Sequence, residues 1–346
     1  MNNLNANPDA HRITGNGGAD LLSRLRHMTP VANRTDNSLT IKGRLADVLP
    51  EIPDNFTTVP FEVAGVVNPA KKAILSNGYP IAVVAKDWHL LPHREVVNIG
   101  LSRLRDAGFN LDDCYGRLRV EGHGAKIRLD IVVPEIERRG ADGSLMNGRF
   151  RFNSGLDGHS SAEGDADWFR LMCLNGMGRA FAEIGSARAI HSLKSIESGE
   201  FVHRLLTLAD DLPQIAERFD AWAGMPLNQN IFNLLRTPLG AEEDARSILD
   251  AQLGTGAAKG LAEIMDKGSF RGNWVPGMNS AGSQTVYDVY NGVTYMATHK
   301  SDKMATEDRL LRAAAEVVET YLAAVENPEP IMEAVRGADG IYAVAA

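Results

Sequence analysis

Apolar and charged positions alternate most cleanly across residues 115–152. Over 115–120, Arg117 and Arg119 share one parity and Leu118 and Val120 the other. Over 125–133, Lys126, Arg128 and Asp130 oppose Ile127, Leu129 and Ile131, and Arg149-Phe150-Arg151-Phe152 repeats the pattern. Side chains at i and i+2 lie on one face of a strand. The spacing therefore predicts three strands, the first two joined by a hairpin loop at 121–124. Each offers a basic pair on one face and an apolar pair on the other. Side by side they predict an antiparallel sheet with one basic face, its apolar face packed on helices.

Upstream, 79–85 is an apolar run of strand length after a Ser76-Asn77-Gly78 turn, and 48–69 mixes prolines with β-branched residues in a way that suits extended chain. A short helix fits 21–28, and a helical period covers 93–107, closed by Gly108. The second half is mostly helical by period. It reads as helices over 168–184, capped by Asp165 or Asp167, over 201–222 with Pro213 inside, over 241–253 and over 307–325. Residues 272–298 begin as a loop rich in Gly, Asn and aromatic residues and end in an apolar stretch. The fold class is α+β, with a mainly helical second half. Three regions are expected: a flexible arm over 1–20, an α+β domain with the basic sheet over 21–200, and a helical region over 201–346 packed on it.

The chain has 346 residues, 44% hydrophobic and 23% charged, enough to bury a core. Its net charge of −8 excludes a uniformly basic nucleic-acid coat but not one local basic groove. No apolar run is long enough to span a membrane, and the N-terminus has no apolar signal-like core, so the chain reads as soluble and cytoplasmic. Two cysteines, Cys114 and Cys173, make neither a disulfide framework nor a zinc site.

Enzyme signatures are sparse. There is no Gly-Lys-Ser/Thr phosphate loop, no Gly-x-Ser-x-Gly elbow and no His-Glu-x-x-His helix, and no cofactor is implied. His159 with Glu163, Asp165 and Asp167 has ligand chemistry for a metal-dependent enzyme; the same acids also suit a polar loop that caps the next helix. The basic strands carry more. Single-stranded DNA needs cations to track phosphates and aromatic platforms on which bases stack. Arg117, Arg119, Lys126, Arg128, Arg149 and Arg151 supply the cations. Arg170 and Arg271 are additions, and Tyr115, Trp168, Trp274 and Tyr79 are the platforms.

Three blocks of sequence are familiar: Asn153-Ser154 with Gly158; Arg170-Leu171-Met172-Cys173-Leu174-Asn175-Gly176-Met177; and Tyr287-Asp288-x-Tyr290-Asn291-Gly292-Val293-Thr294-Tyr295 with Thr298-His299. Together they resemble a phage- and plasmid-borne family, domain of unknown function 932, across about 65–325. The resemblance implies a viral or mobile-element origin and transfers no catalytic residues. A looser resemblance in size, acidity and element order is to phage single-stranded-DNA-binding cofactors of viral RNA polymerases. The hairpin–strand–helix order is also similar to annealing proteins of the Rad52 kind. The expectation is a non-enzymatic, sequence-nonspecific single-stranded-DNA-binding protein of bacteriophage type. It would act in viral transcription or replication, with a phage RNA polymerase as a partner, and would form a homo-oligomer. The alternatives are an annealing recombination protein, a metal-dependent enzyme, and an interaction protein that touches no DNA.

Overall fold

The computed structural model describes residues 31–35, 38–106, 108–140, 145–170, 175–177, 186–189, 200–239, 245–280, 282–300 and 304–339. The arm expected at 1–20 and the helix expected at 21–28 lie outside them. Among the described residues, 31–138, 145–170, 186–189 and 200–212 form one compact unit, and 139–140, 175–177 and 213–339 form a second.

The first unit holds β1 (Val31–Thr35), β2 (Ser38–Arg44), α1 (Leu45–Val48), β3 (Phe56–Val63), β4 (Val66–Ser76), β5 (Tyr79–Ala85), α2 (His93–Asp106), β6 (Tyr115–Glu121), β7 (Lys126–Arg139), β8 (Leu145–Gly155) and β9 (Ala162–Arg170). Asn175–Met177 is the short strand β10, and Ser186–Ala189 is β11. The main sheet runs β1-β2-β6-β7-β8-β9, with β11 also pairing β9. The β1–β2, β2–β6, β6–β7, β8–β9 and β9–β11 pairs are antiparallel.

The alternation places side chains as the sequence requires. Leu118, Ile127, Leu129, Ile131, Phe150 and Phe152 are buried on the apolar face. Each such side chain contributes about 1.5–3 kcal/mol by leaving water. Helix α2 lies against this face through Gly100, where an added Cβ would stand 2.3 Å from Phe152 Cε1. A second sheet, β3-β4-β5, is made of two tight hairpins turning at Ala64-Gly65 (φ 52° and 80°) and Asn77-Gly78 (φ 48° and 81°). Left-handed residues of this kind match the twist of a two-residue hairpin. The tip of the first hairpin exposes Val63, Val66 and Val67, and its outer strand, β3, contains Pro60 and a bulge between Pro60 and Glu62.

The sequence misleads over 168–184. Its described parts are extended: β9 ends at Arg170, and β10 follows in place of a helix-end turn at Asn175. Glu163, Asp165 and Asp167 do not cap a helix. They alternate along β9 with Gly164, Ala166 and Trp168, a period of two that complements the arginines of β8.

Beyond the sheet come α3 (Glu200–Ala223), α4 (Gln229–Arg236), α5 (Ile248–Leu253), α6 (Thr255–Lys267), the hairpin β12 (Ser269–Phe270) and β13 (Asn273–Trp274), α7 (Val286–Lys300), α8 (Met304–Glu326) and α9 (Glu329–Asp339). Helix α3 runs unbroken through Pro213. Helix α5 starts at Ile248, where Ser247 and Asp250 form a reciprocal capping box; residues 241–244 of the expected helix lie outside the described residues. In the second unit Phe219 and Trp222 of α3 meet Tyr290 of α7 at 5.0 and 5.3 Å between ring centroids.

Gly100→Ala is expected to destabilise the chain by about 1–3 kcal/mol, because the aromatic ring of Phe152 cannot yield to a methyl group. Urea denaturation at constant pH measures it; an unchanged midpoint would show that α2 does not seat on Phe152.

Candidate nucleic-acid interface

The six basic residues of the expected surface do share one face of the sheet. Arg117 stands opposite Asp130, Arg119 opposite Arg128, and Glu121 opposite Lys126. Arg149 stands opposite Asp167 and Arg151 opposite Asp165. That face is not a solvent trough. Arg119, Arg128, Arg149, Arg151, Asp130, Asp165 and Asp167 are all buried.

Carboxylates lie among the guanidiniums. Arg151 Nε donates to Asp130 Oδ1 at 2.8 Å, and Arg149 and Arg117 guanidinium nitrogens lie 4.0 and 3.9 Å from the same carboxylate. Arg149 grips Asp167 with both Nε (2.7 Å) and Nη2. Arg128 Nε donates to Asn153 Oδ1 at 2.9 Å. Lys126, at the strand end, pairs with Asp157 at 2.8 Å. The expected cationic groove is therefore corrected to a buried ion network. Phosphates meet at most the partly exposed Lys126 and Arg117 from this set.

Burial acts on every group here. It would raise Asp130, but the guanidiniums of Arg151, Arg149, Arg117 and Arg128 outweigh it and hold that carboxyl far below its usual range. Asp167, equally buried, is pushed up to about 6 against the pull of Arg149. Lys42, opposite Arg117, is lowered by burial and by Arg117 and Arg119. Tyr115 is buried and pushed up to about 12 by desolvation, so it offers no stacking surface. Trp168 is buried too; its indole N–H donates to Leu212 O at 2.9 Å and Arg138 covers the ring at 5.6 Å. Arg170 ends β9 opposite Met146, and its side chain lies outside what the structure describes.

The metal reading fares no better. Asp167 is spent on Arg149, and His159 lies in an exposed loop whose backbone N–H donates to Asp157. Among the described residues, no group of His, Cys, Asp and Glu side chains is arranged to hold a metal ion. No helix among them is long and apolar enough to cross a membrane.

Arg271 and Trp274 are placed differently. Ser269 pairs with Trp274 and Phe270 with Asn273, and the two-residue turn is Arg271-Gly272 (φ 51° and 78°). Phe270 anchors this hairpin in the core of the second unit. Trp274 is 52% exposed. Its ring lies over Gly268, the left-handed residue that ends α6, where a Cβ would come within 2.6 Å of Trp274 Cζ3. Val275 N–H closes the site by donating to Gly268 O at 3.0 Å. Arg271 sits 5.3 Å over Phe270, Phe270 meets Tyr295 edge-on at 6.5 Å, and Tyr295 stacks on the exposed His299 at 4.1 Å. Lys267 is exposed at the end of α6, while the neighbouring Asp266 is held by both Nη atoms of Arg236 at 2.9 and 3.0 Å.

Two of the familiar sequence blocks now have physical roles. The buried Asp288 carboxylate accepts from Thr285 N–H (2.7 Å) and hydroxyl, and from Asn279 N–H and side-chain amide. Asn291 Nδ2 donates to Pro276 O at 3.0 Å. These bonds bolt the segment after Trp274 onto α7. In the first block, Asn153 receives Arg128 and Ser154 bonds His93 Nδ1 at 2.8 Å.

The sequence matches the family described as a domain of unknown function (DUF932) over residues 80–318. The chain belongs to that family. No curated protein and no solved structure matches it. The matched span of this DUF932 member contains the ion network, the Trp274 hairpin and all three blocks.

Asp130→Asn is expected to cost about 3–5 kcal/mol in urea denaturation, because Arg151 and Arg149 would then face an uncharged amide inside the protein. Between pH 4 and 6 the folded chain keeps a proton on Asp167 that the unfolded chain releases, so that residue's contribution to stability falls as pH rises through this window. The denaturation midpoint of Asp167→Asn should accordingly gain on wild type from pH 4 to 6; a constant difference would contradict the shift.

Proposed function

We propose that this protein binds single-stranded DNA without sequence preference, through Trp274 and Arg271. The observation that carries the reading is an indole half open to solvent, on the same two-residue-turn hairpin as Arg271, whose guanidinium lies over Phe270. An apolar ring left half open is costly to present to water and is what an unpaired base needs, because every base has a face to stack. Arg271 adds charge for a phosphate and a plane for a second stack. Fixing both groups in the free protein lowers the ordering cost of binding. Lys267 and His299 extend the polar rim.

Such a site reads no base edges, which fits a protein that covers exposed strand in viral transcription or replication, the roles that the DNA-binding reading serves. Its cations are few, so the electrostatic share of affinity is modest and stacking dominates. Duplex DNA hides its base faces and gains little.

Fluorescence anisotropy of a labelled oligothymidylate tests the reading. Trp274→Ala should weaken binding by roughly tenfold or more, since one stacked base contributes about 1–3 kcal/mol. Arg271→Ala should flatten the salt dependence by about 0.7 in the log–log slope, the contribution of one neutralised phosphate on a single strand. Trp274→Phe should keep binding yet reduce the quenching of tryptophan emission by DNA, because Trp168 and Trp222 are buried and Trp88 is half-buried. Equal affinity for duplex and single strand, or wild-type binding by Trp274→Ala, would overturn the proposal.

A further inference from the structure

We propose that Tyr79 and His123, in the first unit, form a second platform that stacks a nucleobase of bound single-stranded DNA. This extends the reading of Trp274 and rests on it for the class of ligand. The Tyr79 ring is 54% exposed and lies 4.3 Å from the His123 ring, tilted by 37°. His123 is exposed as well. Two aromatic rings that pair for stability normally do so out of water. This pair stays at the surface, with a free face left on an otherwise ordered assembly.

The backbone beneath it is built at a cost. His123 is left-handed (φ 56°) between Gly122 (φ 62°) and Gly124 (φ 91°). A non-glycine residue in that region loses roughly 1–2 kcal/mol. The loop is held there from below. Buried His93 bonds Gly124 O through Nε2 at 2.8 Å and Ser154 Oγ through Nδ1 at 2.8 Å. Gly124 closes on the neighbouring turn, where an added Cβ would stand 3.1 Å from Ser76 Oγ. Tyr79 is set by the Asn77-Gly78 turn. Asn77 N–H donates to Asn55 O at 3.0 Å, and Asn55 Nδ2 donates to Asn77 Oδ1 at 2.9 Å.

A pattern ties this place to the Trp274 hairpin. Among the described residues, the large exposed apolar side chains include two aromatics, Tyr79 and Trp274. The non-glycine residues with positive φ are Ala64, Asn77, His123 and Arg271. Three of these four lie at the two exposed rings. Asn77 and Arg271 take their positive φ from two-residue hairpin turns, whereas His123 sits between two left-handed glycines and presents an exposed ring. At Tyr79 the His123 imidazole lies beside an aromatic face, a pairing suited to stacking a base and donating to its edge or its phosphate.

Anisotropy with labelled oligothymidylate again supplies the assay, on the full chain. Tyr79→Ala should weaken binding about tenfold, the order of one lost stacked base; Tyr79→Phe should retain it, and His123→Ala should weaken it. Both sites are exposed, so thermal unfolding of these variants should match wild type. Ultraviolet cross-linking of a bromodeoxyuridine oligonucleotide should place adducts on Tyr79 or His123. If Trp274→Ala weakens binding while Tyr79→Ala does not, and no adduct forms at Tyr79 or His123, this proposal falls and the Trp274 reading stands. If wild type binds no single strand, both fall. If Tyr79→Ala weakens binding and Trp274→Ala does not, the platform here is upheld and the Trp274 reading fails.

Discussion

One carboxylate, Asp130, holds four guanidiniums around it inside the protein, and the main sheet depends on that balance. An isolated ion taken out of water carries a penalty of several kcal/mol, so buried charges persist only when matched. The matching fixes the strands. Slipping β7 or β8 by one residue would turn every arginine into the apolar face and every Leu, Ile and Phe into the ionic one. The network thus specifies register at least as much as it stabilises, and it explains why charges line a face that never meets solvent. The guanidiniums of Arg149 and Arg151 are turned to Asp130 and Asp167 inside the protein rather than to solvent.

The exposed Trp274 ring is held by backbone geometry. Gly268 brings the chain back under Trp274, Arg271 and Gly272 make the turn, and Asp288 with Asn291 fasten the segment that follows. The family blocks therefore act chiefly as fasteners. Asp288 and Asn291 bond the loop and Tyr295 meets the aromatic stem, while the Trp274 ring stays exposed.

The sequence was legible where period and chemistry agreed. The parity of Arg117, Arg119, Arg128, Arg149 and Arg151 was correct, as were β5 and α2. Alternation reports which residues share a face but not whether that face is covered. The acids of the same parity, Asp130, Glu163, Asp165 and Asp167, were the available warning of internal neutralisation. Asp165 and Asp167 also suit the cap of a helix over 168–184, because an acidic cluster before an apolar run is the signature of a helix start too. The hairpin at 269–274 was hidden in a loop assignment. Only Gly272 marked the turn, and Arg271 is an unusual residue for positive φ. No local pattern could show that His123 and Tyr79 would meet, since they are 44 positions apart.

The valine-tipped hairpin of β3 and β4 carries its own consequence. Greasy side chains along a sheet margin invite lateral growth into fibrils, one ribbon templating the next. Here Pro60 removes an amide from the outer rung and the adjoining bulge breaks the ladder's rhythm. Exposed valines thus sit on a margin that is a poor seed for endless stacking.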